Sequence, residues 1–507
     1  MSQAFLSSRL PARAALAGAL ALILAGCAVG PNYTRPNAPA VDRYTAQPLP
    51  AQTVSTDTAG GDAQRFLEGT NVPERWWTTF GNDELDRRVH QALAHSPTIA
   101  SAQAALREAQ ENAKAARGGF FPSLDANAGA TRQKSSGAQF GSAGAGFSNS
   151  PFNVYNAGVS VGYVFDLFGG VRRGVEAQSA LADAQRAQLD ATYLILATNV
   201  VTASLQEASL REQVRATEEI ADSLRKELDI AQKQQQIGAK SLSDTLAVSA
   251  QLASTEATLP PLRKQLAATQ DQLATYLGVA PAQLQLQPIE LASVTLPQDI
   301  PVSLPSKIVE QRPDIRAASA QLHAATAQVG VATANMLPQL TLSGSLGSQA
   351  LHSGDLFSAG TTAWSLGLNL LQPIFHGGEL LHKKRAAQAG MERVLADWQQ
   401  TVLTAFQNVA DSLQALDFDA QGLAAQNTAE QAASKRMELT RTQYQVGAVD
   451  YLALLDAERQ YQQARIALIQ SRAARLADTA ALYAALGGSW NGAASEIASG
   501  TTTPTKK

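Results

Sequence analysis

A tight turn between two helices is encoded by the stretch Gln443-Tyr444-Gln445-Val446-Gly447-Ala448-Val449-Asp450-Tyr451-Leu452-Ala453-Leu454-Leu455-Asp456. Gly447 is the strong helix breaker here, so we expect it to end the first helix in a left-handed conformation. Asp450 has a side chain typical of an N-cap and is expected to begin the returning helix. Leu452 and Asp456 are four residues apart and therefore share one face of that helix. The stretch predicts a helical hairpin.

The same pattern occurs earlier, as Gln236-Ile237-Gly238-Ala239-Lys240-Ser241-Leu242-Ser243-Asp244. Long helical segments, about 172–236 and 380–446, precede the two turns. Their narrow, alanine-rich apolar stripe is typical of coiled coils. At 1.5 Å per residue each would span roughly 95–100 Å. An internal duplication of about 210 residues accounts for these matches.

The N-terminus has the pattern of an export signal. A basic start is followed by an unbroken apolar segment that ends at Leu24-Ala25-Gly26-Cys27, which resembles a bacterial lipobox. It predicts cleavage between Gly26 and Cys27 and acylation of Cys27, the only cysteine of the chain. After residue 26, no apolar run reaches the roughly 18 residues that a membrane helix needs.

Composition shifts and the repeat divide the chain into segments. They are a signal peptide (1–26), an extended, loosely packed arm (27–75), a first repeat (76–278), an irregular linker (279–310), a second repeat (311–487) and a disordered tail (488–507).

Trp76 and Trp77 are predicted to anchor packing rather than to bind a ligand. Pro97 is expected to break or kink the helix near 82–117, and the pair Pro260-Pro261 to kink the first return helix. A Gly/Ser-rich stretch near 135–150 is expected to be a mobile loop.

Each repeat also contains two segments in which apolar and polar residues alternate. They lie near 124–130 and 159–165, and near 339–349 and 363–374. Alternation predicts strands, and strands of about ten residues can cross a bilayer. Four strands cannot close a barrel, and an open edge in lipid leaves backbone groups unpaired. Other copies of the chain must complete the barrel; two copies give eight strands and three give twelve, and spacing does not choose between them.

Helix lengths suggest how each repeat is arranged. The return helix is shorter than the long helix, and the helix before the strands makes up the difference. We therefore expect the two shorter helices to stack end to end alongside the long one, with the strands at one end and the turns at the other. The predicted fold class is mainly α, with long coiled-coil hairpins and four membrane strands per chain, two from each copy of the internal duplication.

Taken together, these features resemble the TolC-like outer-membrane factors, and among them the NodT-type efflux lipoproteins. The resemblance rests on the lipobox, the run Pro-Asn-Tyr-Thr-Arg-Pro at 31–36, Trp76-Trp77 with Asp83, the duplicated strands and hairpins, and the Tyr-x-x-Gly…Leu-Leu-Asp-Ala turn. It implies a homotrimer with a twelve-stranded barrel in the outer membrane and a helical tunnel in the periplasm. It also implies partnership with a periplasmic adaptor protein and an inner-membrane efflux pump.

The resemblance also implies a periplasmic gate. Its residues correspond to Asp244 on the first turn and to Tyr444, Leu452 and Asp456 on the second, with Asp244 and Tyr444 tying the hairpins together. In a trimer Leu452 would form a narrowing ring. Asp456 would form a ring that favours cations, and repulsion among its three carboxylates would raise their apparent pKa.

The turns themselves are the expected adaptor contacts. Their residues are Gly238, Ala239, Lys240, Gly447, Ala448 and Val449. Some family members have Arg where Val449 stands and Asp where Ala453 stands, so this gate lacks one arginine link and one acid ring. Those departures resemble the drug-efflux lipoprotein branch.

Other functions have less support in the sequence. A net charge of −3 excludes nucleic-acid binding by overall charge. Asp450 and Asp456 lack a base, nucleophile or metal partner, so no enzyme and no cofactor is predicted. We expect passive export of drugs or other small toxic compounds. The alternatives are a structural trimer that spans the envelope, or an exit duct for metal ions or secreted protein.

Overall fold

The computed structural model describes residues 28–134 and 150–488, which form two compact units. Unit 1 comprises residues up to Arg35, Arg107–Ala184 and Ser319–Asp397. Unit 2 comprises Pro36–Leu106, Gln185–Ala318 and the chain from Trp398 onward. The predictions for Gly26, Cys27, the loop 135–149 and the tail from 489 fall outside the described residues.

The helices follow the predicted duplication. They are α1 (Asp83–His95), α2 (Pro97–Arg117), α3 (Gly170–Gln236), α4 (Leu242–Tyr276), α5 (Pro305–Gln311), α6 (Pro313–Ala334), α7 (Glu379–Gln445) and α8 (Tyr451–Ala485). Pro97 separates α1 from α2, as predicted. Pro260 and Pro261 lie inside α4, which continues through them as one helix. In the described part of the chain, every helix is too short or too polar to qualify as a membrane span.

The sheet of unit 1 is built from the four predicted strands. They are β2 (Ser123–Gln133), β3 (Phe152–Phe165), β5 (Gln339–Ala350) and β6 (Thr362–Leu371), antiparallel in the order β2-β3-β5-β6. The register joins the two repeats at its centre, where Gly158 is opposite Gly347. A Cβ on Gly158 would lie 3.0 Å from Gly347 Cα, so the two strands approach closely at this pair.

The sheet is open at both edges and carries an apolar face. Strands β2 and β6 each have one strand neighbour among the described residues. On β6, the alternate residues Trp364, Leu366, Leu368 and Leu370 are all more than 60% exposed. Exposed alternating apolar residues on an unpaired edge strand would be an aggregation hazard in water. The sheet therefore needs a further covering surface.

Unit 2 has its core where the N-terminal chain meets the helices. Trp76, Trp77 and Phe80 are fully buried, and the Trp76 ring packs 5.5 Å from that of Tyr483 on α8. Trp77 Nε1 donates a hydrogen bond to the Asp86 carboxylate at 2.8 Å. The pair is thus a packing anchor, as predicted.

The predicted loose packing of the arm is wrong for the residues near 53–68. Strand β1 (Arg65–Glu68) pairs in parallel with β4 (Asp299–Val302), inside the segment predicted to be an irregular linker. Arg475 of α8 is buried and donates to the carbonyls of Gly60 and Asp62 at 2.8 and 2.7 Å. A buried guanidinium needs such acceptors, and the arm supplies them.

Within unit 2, the ends of the return helices meet the starts of the other short helices. Arg312, just before α6, donates to the Ala485 carbonyl at the end of α8 at 2.6 Å. Gly278, after α4, has φ +73°, and a Cβ there would lie 2.5 Å from the His95 carbonyl oxygen. These contacts agree with the predicted end-to-end arrangement of the shorter helices.

Candidate functional site

The two hairpin turns have the same backbone. Gly447 has φ +75° and donates to the Tyr444 carbonyl at 3.0 Å, while Ala448 donates to that of Gln443 at 2.8 Å. In the first turn, Gly238 has φ +74° and the corresponding bonds measure 3.0 and 2.8 Å. Both turns are Schellman motifs, in which a left-handed glycine lets two amides satisfy the last helical carbonyls. The predicted role of Gly447 is confirmed.

Side-chain caps begin the return helices. Asp450 is the N-cap of α8 and accepts from the Ala453 amide at 2.9 Å, as predicted. Ser241 caps α4 through a capping box, in which Ser241 Oγ accepts from the Asp244 amide at 3.1 Å. The Asp244 carboxylate completes the box by accepting from the Ser241 amide at 3.4 Å. The structure thus gives Asp244 a capping role within its own hairpin.

An apolar cluster packs the hairpins together below the turns. It contains the buried residues Ala231, Val248, Tyr451 and Leu454. Leu452, between two of these positions, is instead 62% exposed. Leu452 is therefore not a seam residue within its own chain, and its side chain is available to a neighbouring copy or to the lumen.

A cation–aromatic contact links the first turn to the second hairpin. Lys240 Nζ lies 3.8 Å from the centroid of the Tyr451 ring and 5.4 Å from that of Tyr444. The two tyrosine rings pack edge to face at 5.4 Å. Within the described part of the chain, no hydrogen bond joins Asp244 to Tyr444, as the predicted tie would require. The Asp244 carboxylate instead accepts the capping-box hydrogen bond, and Lys240 lies over the ring of Tyr444.

Asp456 is held by ion pairs rather than being free in solvent. Its carboxylate lies 2.9 Å from Arg436 Nη2 and 2.7 Å from Arg459 Nη2. The hydrogen bond from Arg436 is the main cause that lowers the pKa of Asp456. Within one chain this lowering opposes the rise expected from repulsion among three carboxylates, because each chain supplies its own arginines beside the acid.

A group of charged residues that was not predicted from the sequence lies about two to three helical turns from the hairpin turns. Arg441 Nη2 lies 2.9 Å from Glu458 Oε1 and 3.4 Å from Glu227 Oε1. The Tyr451 hydroxyl donates to Glu227 Oε2 at 3.3 Å. A signal was present, since Glu458 follows buried Leu454 by one helical turn and thus stands at an apolar seam position.

The predicted adaptor contacts lie at the surface of unit 2. Gly238, Ala239, Gly447 and Ala448 are exposed, whereas Lys240 and Val449 are half-buried. Beside the glycines, Ile237 and Val446 are 79% and 76% exposed. Among the described residues, no group of three or more His, Cys, Asp or Glu side chains could hold a metal ion.

Comparisons with known proteins place the chain among outer-membrane channels. The family model described as outer membrane efflux protein matches residues 89–279 and 304–488, one segment in each repeat. The pyoverdine export outer membrane protein OpmQ of Pseudomonas aeruginosa is 34% identical over 421 residues, which are 82% of this chain and 87% of that protein. The toluene efflux pump outer membrane protein TtgC of Pseudomonas putida is 28% identical, over 93% and 94% of the two chains.

Solved structures agree with the sequence relatives. The outer-membrane channel OprN superposes with a TM-score of 0.80 at 27% identity and covers 92% of this chain and all of its own. The resemblance to TolC-like channels, the helical tunnel with a barrel portion and the outer-membrane location are thereby confirmed. The chain belongs to the outer membrane efflux protein family and is an outer-membrane channel of an efflux system.

Proposed function

We propose that this channel works as a homotrimeric, passive exit duct coupled to a periplasmic adaptor and an inner-membrane pump, and catalyses no reaction itself. The open sheet of unit 1 supports this assembly, because β2 and β6 lack a second strand neighbour among the described residues. Backbone groups left unpaired in lipid cost several kcal/mol each. Pairing β6 of one copy with β2 of the next satisfies both edges, and three copies supply twelve strands.

We propose small organic compounds as the cargo. OpmQ is named for pyoverdine export and TtgC for toluene efflux, which supports small molecules over secreted protein. Cargo selection is assigned to the pump and adaptor. The duct contributes to cargo selection only through its width and its charge.

The gate is proposed to lie at the second turn, with Leu452 as a narrowing ring, Asp456 as a charged ring, and Tyr444, whose ring packs against that of Tyr451, as a third member. The observation that carries this proposal is the 62% exposure of Leu452 between buried neighbours. A large apolar side chain kept out of its own hairpin core is suited to meeting its symmetry mates. Asp456 is one helical turn further along the same face.

The adaptor is proposed to bind the two turns. Ile237 and Val446 are exposed in equivalent places just before the glycines, and Leu242 is 59% exposed. Exposed apolar side chains on both turns offer the adaptor a repeated contact surface.

Cys27 is proposed to be the acylated N-terminus, on the strength of the apolar segment that ends in Leu24-Ala25-Gly26-Cys27. Mass spectrometry of the mature N-terminal peptide should show loss of residues 1–26 and a lipid adduct on Cys27. An unmodified peptide that spans 20–35 would contradict the proposal.

The assembly and the duct are tested together with protein purified in detergent. Native mass spectrometry should give three copies, and the same sample should produce ion conductance in planar bilayers. Deleting the gene should raise the susceptibility of its host to small toxic compounds, and the intact gene should restore resistance. A stable monomer, or trimers that neither conduct nor restore resistance, would contradict the proposed function.

A further inference from the structure

Two acids and one arginine meet below the hairpin turns, each from a different helix. Glu227 belongs to α3, Arg441 to α7 and Glu458 to α8. One guanidinium nitrogen, Arg441 Nη2, forms ion pairs with both carboxylates, at 3.4 Å from Glu227 and 2.9 Å from Glu458. The group therefore joins the first hairpin to the second, but it carries one cation for two acids.

The neighbouring side chains do not supply the missing positive charge. Tyr451 donates its hydroxyl to Glu227, and Tyr444 packs against the Tyr451 ring. Lys240 lies over the faces of these two rings, so its charge is directed at the aromatic pair. Helix α4 contributes Val248 to the adjoining cluster, which is apolar.

A hydrogen-bond donor is also missing at this place. Glu458 is 8% exposed, and within the described ranges its buried Oε2 has no hydrogen-bond partner. A buried acceptor left unsatisfied is costly. A proton on one of the two carboxyl groups would provide the donor and would also balance the charge of Arg441.

We propose that Glu227, Glu458 and Arg441 form a proton-controlled latch that ties the hairpins together in the closed channel and regulates the gate. The latch rests on the gate proposed above. With a proton shared between the two carboxyl groups, the three side chains are neutral as a set and hold α3 against α7 and α8. Loss of that proton leaves two carboxylates facing one arginine, which pushes the hairpins apart.

The direction of the pH effect follows from the environment of Glu227. Burial, together with the neighbouring Glu458, raises the pKa of Glu227 from 4.5 to about 7 in the latched arrangement. A hairpin that swings away returns the carboxyl to water and to its ordinary pKa. The latched form thus binds the proton more strongly, and the latch weakens as the pH rises from 4.5 towards 7. The ratio of open to closed channels should increase by up to about tenfold per pH unit in this range and then level off.

The test is the pH dependence of single-channel conductance for purified trimers in planar bilayers, between about pH 4.5 and 8.5. Glu227→Gln keeps the size of the side chain and imitates the protonated form, so its channels should stay closed across the whole range. Asp229→Asn is the matched control on the same helix, because Asp229 is 60% exposed and pairs with Lys233. It should open with pH as the natural protein does.

The double variant Leu452→Ala/Tyr444→Phe separates the latch from the gate. If it raises conductance while the natural channel is indifferent to pH, the gate stands and the latch is overturned. If neither the double variant nor pH changes conductance, both proposals are overturned. A pH response that persists unchanged in Glu227→Gln also overturns the latch. A pH response that is abolished by Glu227→Gln and kept by Asp229→Asn supports it.

Discussion

The two hairpin turns share a backbone but not a surface. Both end their first helix with a Schellman glycine and begin the second with a side-chain cap. When the two glycines are aligned, the caps Ser241 and Asp450 also coincide. The residues that we assign to the gate, Tyr444, Leu452 and Asp456, align with Gln235, Ser243 and Ala247. Both copies of the duplication have thus kept the glycine and the cap residue that reverse the chain. The apolar and charged groups of the gate are confined to the second turn.

Tyr451 should give the largest difference between the turns. It is 5% exposed and aligns with Leu242, which is 59% exposed. Tyr451→Ala removes a buried ring and the partner of Lys240, and should lower the free energy of local opening by roughly 3 kcal/mol. Leu242→Ala should cost less than about 1 kcal/mol. Hydrogen exchange of the turn amides measures both, and equal losses would remove the claimed asymmetry.

The turn glycines should behave alike. Gly238 and Gly447 both have positive φ and open space where a Cβ would be. Alanine at either position should therefore cost about 1 kcal/mol through backbone strain alone. Hydrogen exchange of each variant gives the two values. A large loss in only one turn would mean that the backbones are not equivalent.

Asp456 should give a smaller, selective effect. Asp456→Ala should weaken the preference for cations, which is measured as a shift of the reversal potential in a salt gradient. Because the Arg436 hydrogen bond lowers the pKa of Asp456 below its ordinary value of 3.8, its charge and the preference should persist as the pH falls to 3.8 and disappear only in stronger acid. Asp229→Asn, an exposed acid on the first hairpin, should leave the reversal potential unchanged. An equal shift from both variants would assign selectivity to overall charge.

Much of the backbone was predictable because local signals agree with the fold. The prediction 172–236 for the first long helix compares with the observed Gly170–Gln236, and the strands follow the alternation of apolar residues. The N-terminal arm was predicted less well. Its contacts, such as those of Gly60 and Asp62 with Arg475, join residues more than 400 positions apart. No periodic pattern in the sequence predicts such long-range contacts.

The gate residues were likewise only partly predictable from the sequence. Their position on one helix face followed from a spacing of four residues. The partners could not be predicted, because Arg436 reaches Asp456 across the hairpin and Lys240 reaches Tyr451 from the other repeat. Contacts between long, flexible side chains of separate helices produce no pattern in the local sequence. The ion pairs of Asp456 and the pair of acids around Arg441 were therefore identified only from the folded structure.

Conductance is the most direct test of whether the gate belongs to the second turn. Leu452→Ala/Tyr444→Phe should raise the conductance of intact trimers in planar bilayers several-fold. The aligned double variant of the first turn, Ser243→Ala/Gln235→Ala, should leave it at the natural value. Unchanged conductance in the first variant, or an equal rise in both, would contradict the account.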